Sequence, residues 1–140
     1  MSGNAALWEK LPRSVQSQLE NAARRLQFER GEIIYKAGDL PQGLYFIQQG
    51  LVGLTLVGPS GKEHLLRFFK VGQFFGHRSL FSEEPFHASA VALESTVLQF
   101  VGKREIFAVL DQDPRIYRFV VRVLAQELRR SEMQHVMVLE

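Results

Sequence analysis

The residues of this chain best suited to chemistry lie close together. Phe75-Gly76-His77-Arg78-Ser79-Leu80 is followed within a few positions by Pro85-Phe86-His87-Ala88-Ser89-Ala90. The spacing predicts a short helix over His77–Phe81, opened by Gly76. Free backbone N–H groups at such an opening, with the positive end of the helix, suit an anion. Ser79 adds a hydroxyl donor. Arg78 adds a cation, although a helical neighbour of His77 projects about 100° away from it. Gly76 serves equally as a turn glycine with no ligand. His64, His77, His87 and His135 have an equally plain reading, as hydrogen-bonded histidines at loop ends.

Other chemistries find less footing. Glu83-Glu84 beside Pro85 reads as a solvated turn, because a paired-carboxylate site needs a second, apposed acid and a pocket. No Gly-x-Ser-x-Gly, phosphate-loop, His-Glu-x-x-His or dinucleotide fingerprint occurs, so neither catalytic residues nor enzyme activity is expected. Cysteine is absent, which excludes disulfides, a thiolate nucleophile and Cys-held zinc or iron–sulfur centres. No metal site is expected. The 17 basic and 15 acidic side chains give a net charge of +2, too balanced to argue for nucleic-acid binding from electrostatics. No signal peptide is visible, and no run approaches the ~18 apolar residues of a membrane helix. A cytoplasmic location without membrane contact is the expectation.

The elements that must position these residues follow from periodicity. From about Asn4 to Arg25, and on to Leu26, apolar residues recur at helical spacing, with Pro12 dividing a short first turn from a second helix. From Gln27 to Val101, glycines punctuate short β-branched and aromatic runs. Strands are predicted at Glu32–Tyr35, Leu44–Gln49, Leu51–Val57, Glu63–Phe69, His87–Leu93 and Thr96–Val101, with a hairpin turn at Pro59-Ser60-Gly61-Lys62. Many short strands imply a sandwich, barrel or roll, and its 11 Phe supply the core.

After Val101 the helical period returns, first over Lys103–Leu110. Asp113-Pro114 then offers an N-cap followed by Pro at the first helical position, opening a helix to about Val138, about 35 Å at ~1.5 Å per residue. Ile116, Phe119, Val120 and Val123 form one apolar face, expected to pack on the β-domain. Tyr117, Val121, Leu124, Leu128, Ser131 and His135 form another at the 4-3-4-3 spacing of a two-stranded coiled coil. An ordinary core helix is the simpler alternative. A helix this long on a domain this small points to pairing with a second copy.

The glycine-opened segment resembles the phosphate-binding cassette of cyclic-nucleotide-binding domains, as used in Crp/Fnr transcription regulators. There Phe-Gly-Glu-x-Ala/Ser-Leu opens a short helix and Arg-Ser/Thr-Ala follows. Phe75, Gly76, Ser79, Leu80 and Ala88 match. His77 stands where the ribose-binding Glu belongs, and Phe86 where the phosphate-pairing Arg belongs. Gly31-Glu32-Ile33-Ile34-Tyr35, Ala37-Gly38-Asp39, Tyr45-Phe46-Ile47 with Gly50 and Val52, and Gly72-x-Phe74-Phe75-Gly76 extend the likeness to about Leu26–Leu128. The resemblance implies a mainly β fold: a double-stranded β-helix, or jelly-roll-like β-roll, with N-terminal helices and a long C-terminal dimerisation helix. It divides the chain into a helical segment 1–25, an effector-binding roll 26–102 and a helical part 103–140.

The function that this resemblance implies is a ligand-sensing, dimerising regulatory domain, a homodimer through its last helix. A small effector is expected against Gly76, His77, Arg78, Ser79, Phe86, His87, Ala88 and Ser89. DNA would be reached only through a C-terminal domain that this chain lacks, and a sensor fragment of a longer regulator is expected. The effector is unknown. A bidentate Arg–phosphate contact is worth about 1.5–3 kcal/mol, and Phe86 cannot supply it, so weak or absent binding of a cyclic nucleotide is expected. Two alternatives stand beside this reading. One is a ligand-free interaction and dimerisation module. The other is a haem-dependent gas sensor using His77 or His87 in an apolar pocket with Phe75, Phe81 and Phe86.

Overall fold

In the computed structural model, residues 9–134 are described. Helix α1 (Arg13–Ala22) leads into β1 (Arg24–Phe28), β2 (Ile33–Tyr35), β3 (Gly43–Gln49), β4 (Leu51–Val57), β5 (Glu63–Lys70) and β6 (Phe74–Phe75). Helix α2 (His77–Ser82), β7 (Ser89–Ala92), β8 (Thr96–Gly102), α3 (Lys103–Gln112) and α4 (Pro114–Gln134) complete it. The strands form two antiparallel four-stranded sheets, ordered β1-β8-β3-β6 and β2-β7-β4-β5. This is the jelly-roll-like fold expected, mainly β with flanking helices.

Strand parity builds two cores from one sheet. Along β3, Tyr45 and Ile47 face the roll interior with Val52, Leu54, Phe69, Phe75, Phe86, Ala90 and Leu98. The alternate residues Leu44 and Phe46 face the helices, with Leu11, Val15, Leu19, Leu80, Ile106, Leu110 and Ile116. A strand with a covered layer on each side explains why its sequence reads as nearly continuous apolar residues. The buried aromatics stack inside the roll: Tyr45 on Phe75 at 5.0 Å and Phe69 on Phe75 at 5.4 Å between centroids.

Five of the six expected strands lie within a residue of their predicted bounds. The differences have local causes. The helical spacing of the N-terminal segment runs through Leu26, yet the chain leaves α1 at Ala22, with Ala23 extended at ψ 146°. Arg24–Phe28 instead pairs with β8, Leu26 lying opposite Leu98 and the Arg24 guanidinium 5.4 Å from the Phe100 ring centroid. Cross-strand burial thus overrides helical periodicity there. The two-residue strand β6 was not separable from the cassette by pattern. Strand β7 is shorter than His87–Leu93 because the preceding loop is held elsewhere: the Phe86 N–H donates to the Asp39 carbonyl at 2.9 Å, and the Gly38 N–H to the Phe86 carbonyl at 2.7 Å.

The start of α4 is as expected. The Arg115 N–H donates to Asp113 Oδ1 at 2.9 Å, an N-cap bond, with Pro114 in the first turn. Its buried face begins with Ile116 and continues through Val123 against Phe74, Phe119 and Phe46.

Leu98 is fully buried between the sheets, whereas Leu40 is 64% exposed. Leu98→Ala is therefore expected to lose about 2–5 kcal/mol of unfolding free energy in urea titration, against no more than about 0.5 kcal/mol for Leu40→Ala.

Candidate functional site

Gly76 is the point on which the cassette turns. It sits at φ 88°, a left-handed conformation that L side chains rarely adopt, directly after β6. A Cβ there would meet the Tyr45 ring at 3.3 Å as well. The turn swings His77, the first residue of α2, inward, where it is 2% exposed, and leaves Arg78 on the flank.

What His77 meets is a carboxylate from the long helix. His77 Nε2 donates to both oxygens of Glu127, at 2.7 and 2.8 Å, and the Arg78 Nε donates to Glu127 Oε2 at 3.0 Å. Glu127 is itself 7% exposed. An ionised carboxylate only accepts, so Nε2 carries the proton. Nδ1 is buried without a hydrogen-bond partner among the described residues. Burial alone would raise the Glu127 pKa. The hydrogen bonds and charges of His77 and Arg78 outweigh it and hold the carboxyl at about 2, against an ordinary 4.5. The cassette helix and α4 are thereby joined through one buried anion.

Beside this tie lies a pocket lined by Gly76, His77, Arg78, Ser79, Phe86, His87 and Ala88, together with Tyr35, Leu54, Leu66, Arg67 and Phe69. Seven of the eight sequence-predicted effector residues thus share one concavity. The eighth, Ser89, does not line it, and its Oγ accepts the Ala37 N–H at 3.0 Å. Phe86 lies flat on Tyr35, ring centroids 3.6 Å apart and planes 7° from parallel. Where the family pattern has an arginine, this chain therefore has an aromatic layer.

Three residues with polar groups, Tyr35 and Arg67 in the pocket and Glu127 behind it, were not anticipated as part of the site. Tyr35 was read only as the end of the first roll strand; burial pushes its hydroxyl pKa well up. Arg67 shares the inward parity of Phe69 on β5, paired with Leu54, and its guanidinium carbon lies 4.7 Å from the Phe69 ring centroid. Glu127 falls four residues after Val123, on the buried stripe of α4, so a carboxylate at that spacing was the available signal.

The residues fit a His77-ligated haem poorly. Nε2, the nitrogen an iron would take, is held by both Glu127 oxygens, while His87 is exposed at the rim. No three-residue His/Cys/Asp/Glu group suited to a metal occurs among the described residues.

Of the residues expected on a coiled-coil seam, Tyr117, Val121 and Leu128 are exposed at 41%, 63% and 63%. Leu124 is half-buried at an apolar crevice with Leu11, Phe119 and Val120, and Ser131 is half-buried. His135 lies outside the described residues.

Because the folded pKa of Glu127 is depressed, its contribution is complete above pH 4.5 and is lost as pH falls toward 2. Wild-type unfolding free energy is expected to fall by on the order of 3 kcal/mol more across that window than that of Glu127→Gln, measured by urea titration at successive pH values.

Comparison with known proteins places this architecture. Residues 25–113, more than half of the chain, match the family described as the cyclic nucleotide-binding domain. The chain is 31% identical to the cyclic AMP receptor protein of Thermus thermophilus over 134 residues, 96% of this chain and 62% of that protein. It is 32% identical to an uncharacterized protein of Haemophilus influenzae over 120 residues, 84% of this chain and 90% of the other. The Thermus thermophilus catabolite activator protein superposes with a TM-score of 0.80 at 29% identity, over 91% of this chain and 60% of that one. The chain thus spans less than two thirds of the length of these Thermus thermophilus matches. It belongs to the cyclic nucleotide-binding domain family.

Proposed function

We propose that this chain is a ligand-sensing, dimerising regulatory domain of a Crp/Fnr-like transcription regulator, and that its effector differs from cAMP. The observation that carries this reading is the Glu127 bridge. A pocket lined by the cassette lies on one side of His77 and Arg78, and the long helix holds them from the other. An effector that draws on Arg78 or displaces His77 alters the anchoring of α4. For this to regulate anything, the effector must bind one helix arrangement more tightly than another.

Dimerisation rests on the second face of α4. Tyr117, Val121 and Leu128 are 41–63% exposed, an apolar stripe that water disfavours and a second copy would cover. DNA contact belongs, on this reading, to a further domain of the regulator.

The doubt about cAMP comes from the two changed side chains. Phe86 offers a phosphate no charge, and the Glu127 carboxylate stands against the cassette where it repels one. These same features favour the second reading, a roll that dimerises without any small ligand.

Two measurements test the proposal. Wild type is expected to be dimeric by light scattering, and Leu128→Glu to be a folded monomer. A monomeric wild type at high concentration removes the interface. In a thermal-shift screen of nucleotides and small anions, at least one compound is expected to stabilise the protein in proportion to ln(1 + [L]/Kd). Isothermal titration is expected to show no micromolar cAMP affinity. Silence across the whole screen selects the ligand-free module.

A further inference from the structure

Strand β5 is the outer member of its sheet: it pairs with β4 on one side and, among the described residues, with no strand on the other. An edge of eight residues offers a row of unpaired backbone donors and acceptors, which proteins ordinarily keep short, charged or covered. The middle of this edge is none of these. Leu65, Leu66 and Phe68 stand there 47–55% exposed.

The pattern on the strand is ordered. Phe69 faces the roll core opposite Val52, and Arg67 lies over its ring opposite Leu54. Phe68 and Lys70 therefore face outward, the Lys70 ammonium 5.6 Å from the Phe68 ring centroid. A bulge at Leu66 then shifts the parity, so that Leu65, opposite Thr55, faces outward too. Its Cδ1 stands 2.8 Å from where a Cβ on Gly53 would lie. Glu63 follows on the same face by alternation. In order, the outer face of β5 carries Glu63, Leu65, Phe68 and Lys70: acid, apolar, apolar, base.

The same four residues turn their backbone groups to the free edge. Along an antiparallel pair alternate residues bond across the ladder and the others point away. The Lys62 carbonyl accepts the Gly58 N–H, which turns Glu63 and Leu65 away from β4. The Lys70 N–H goes to Gln73 Oε1 at 2.7 Å, which turns Lys70 and, two residues before it, Phe68 the same way.

We propose that the β5 edge pairs with the β5 edge of a second copy of this chain, antiparallel about a two-fold axis between Leu66 and Arg67. In that register Glu63 meets the partner's Lys70 and Leu65 meets the partner's Phe68, and symmetry repeats both pairs. Opposite charges and aliphatic–aromatic neighbours are favourable across strands. The bulge selects the occupant. A straight foreign strand would lose register at Leu66, whereas the two-fold sets bulge against bulge. The regular stretches Glu63–Leu65 and Phe68–Lys70 then pair with each other. Eight residues a side fall short of the about 20–30 of a stable interface, so the contact alone is weak and fills at high concentration. It lies apart from the α4 seam and adds to it.

The chain has no cysteine, so one introduced thiol is unique. Leu65→Cys and Phe68→Cys, both at exposed positions, are mixed at high concentration in a glutathione redox buffer, and the linked species are identified by mass. The register brings these two positions to about 5.5 Å between Cα atoms, within disulfide reach, and keeps each more than about 10 Å from its own copy. The mixed disulfide is expected to exceed either homodisulfide by at least about tenfold, where random collision gives about twofold. Random proportions, or no disulfide, overturn the contact. By sedimentation equilibrium, Glu63→Lys and Lys70→Glu are each expected to weaken association beyond the α4 dimer by about tenfold at an unchanged melting temperature, and the double exchange to restore it. A double variant as weak as the single ones overturns the register. If the α4 dimer forms and the mixed disulfide does not, this contact fails alone. If the mixed disulfide forms in a chain with no α4 dimer, the dimerising reading fails and this contact stands.

Discussion

A carboxylate buried at 7% exposure is costly unless its charge is met, and in this molecule two residues from a different element meet it. Most of what matters about the site depends on that constraint. His77 must point inward, so the chain must turn sharply after Phe75, and Gly76 takes the left-handed conformation that permits it. Helix α4 must then lie where Glu127 reaches α2, so its first turns pack Ile116 and Val123 against the helical core and Phe74. Removing one partner would leave a charge in a low-dielectric place, and this makes the three residues a unit rather than a set of contacts.

The fold was legible because its signals are local and mutually consistent. Leu51–Val57 is an aliphatic run that ends near a hairpin turn, Asp113-Pro114 announces a helix, and the order of Gly31, Gly38, Gly50, Gly72 and Gly76 marks the corners of a roll. Where reading failed, two signals competed. Arg24–Phe28 carries the tail of a helical period, yet a vacant place beside β8 drew it into the sheet. No local pattern distinguishes those outcomes, because pairing with a strand about 70 residues away decides them.

The site was legible in its near half only. The cassette residues are contiguous, so likeness found them. Arg67 and Glu127 come from β5 and α4, and only the closed roll brings them to His77 and Arg78. Each nevertheless left a trace, a charge on a face otherwise apolar. Phe86 shows the complementary case: sequence exposed the loss of a cation, and coordinates show what the aromatic does instead, lying against Tyr35 at 3.6 Å. A stack that close makes the exchange of Phe86 for a polar residue a change to the roll core as well as to the pocket.

The position of Glu127 along α4 gives the helix a mechanical character. No residue after it is buried among those described, so Glu127 is the last buried anchor of α4, and Leu128–Gln134 continues the helix with Ser131 half-buried. Geometrically the far segment is an arm whose last buried anchor is a carboxylate held by two donors. A tilt of about 10° at that clamp displaces the tip of a seven-residue overhang by about 2 Å, at ~1.5 Å of rise per residue. Each further helical residue would lengthen the arm, so a sub-ångström adjustment between His77 and Glu127 grows with distance from the pocket instead of fading.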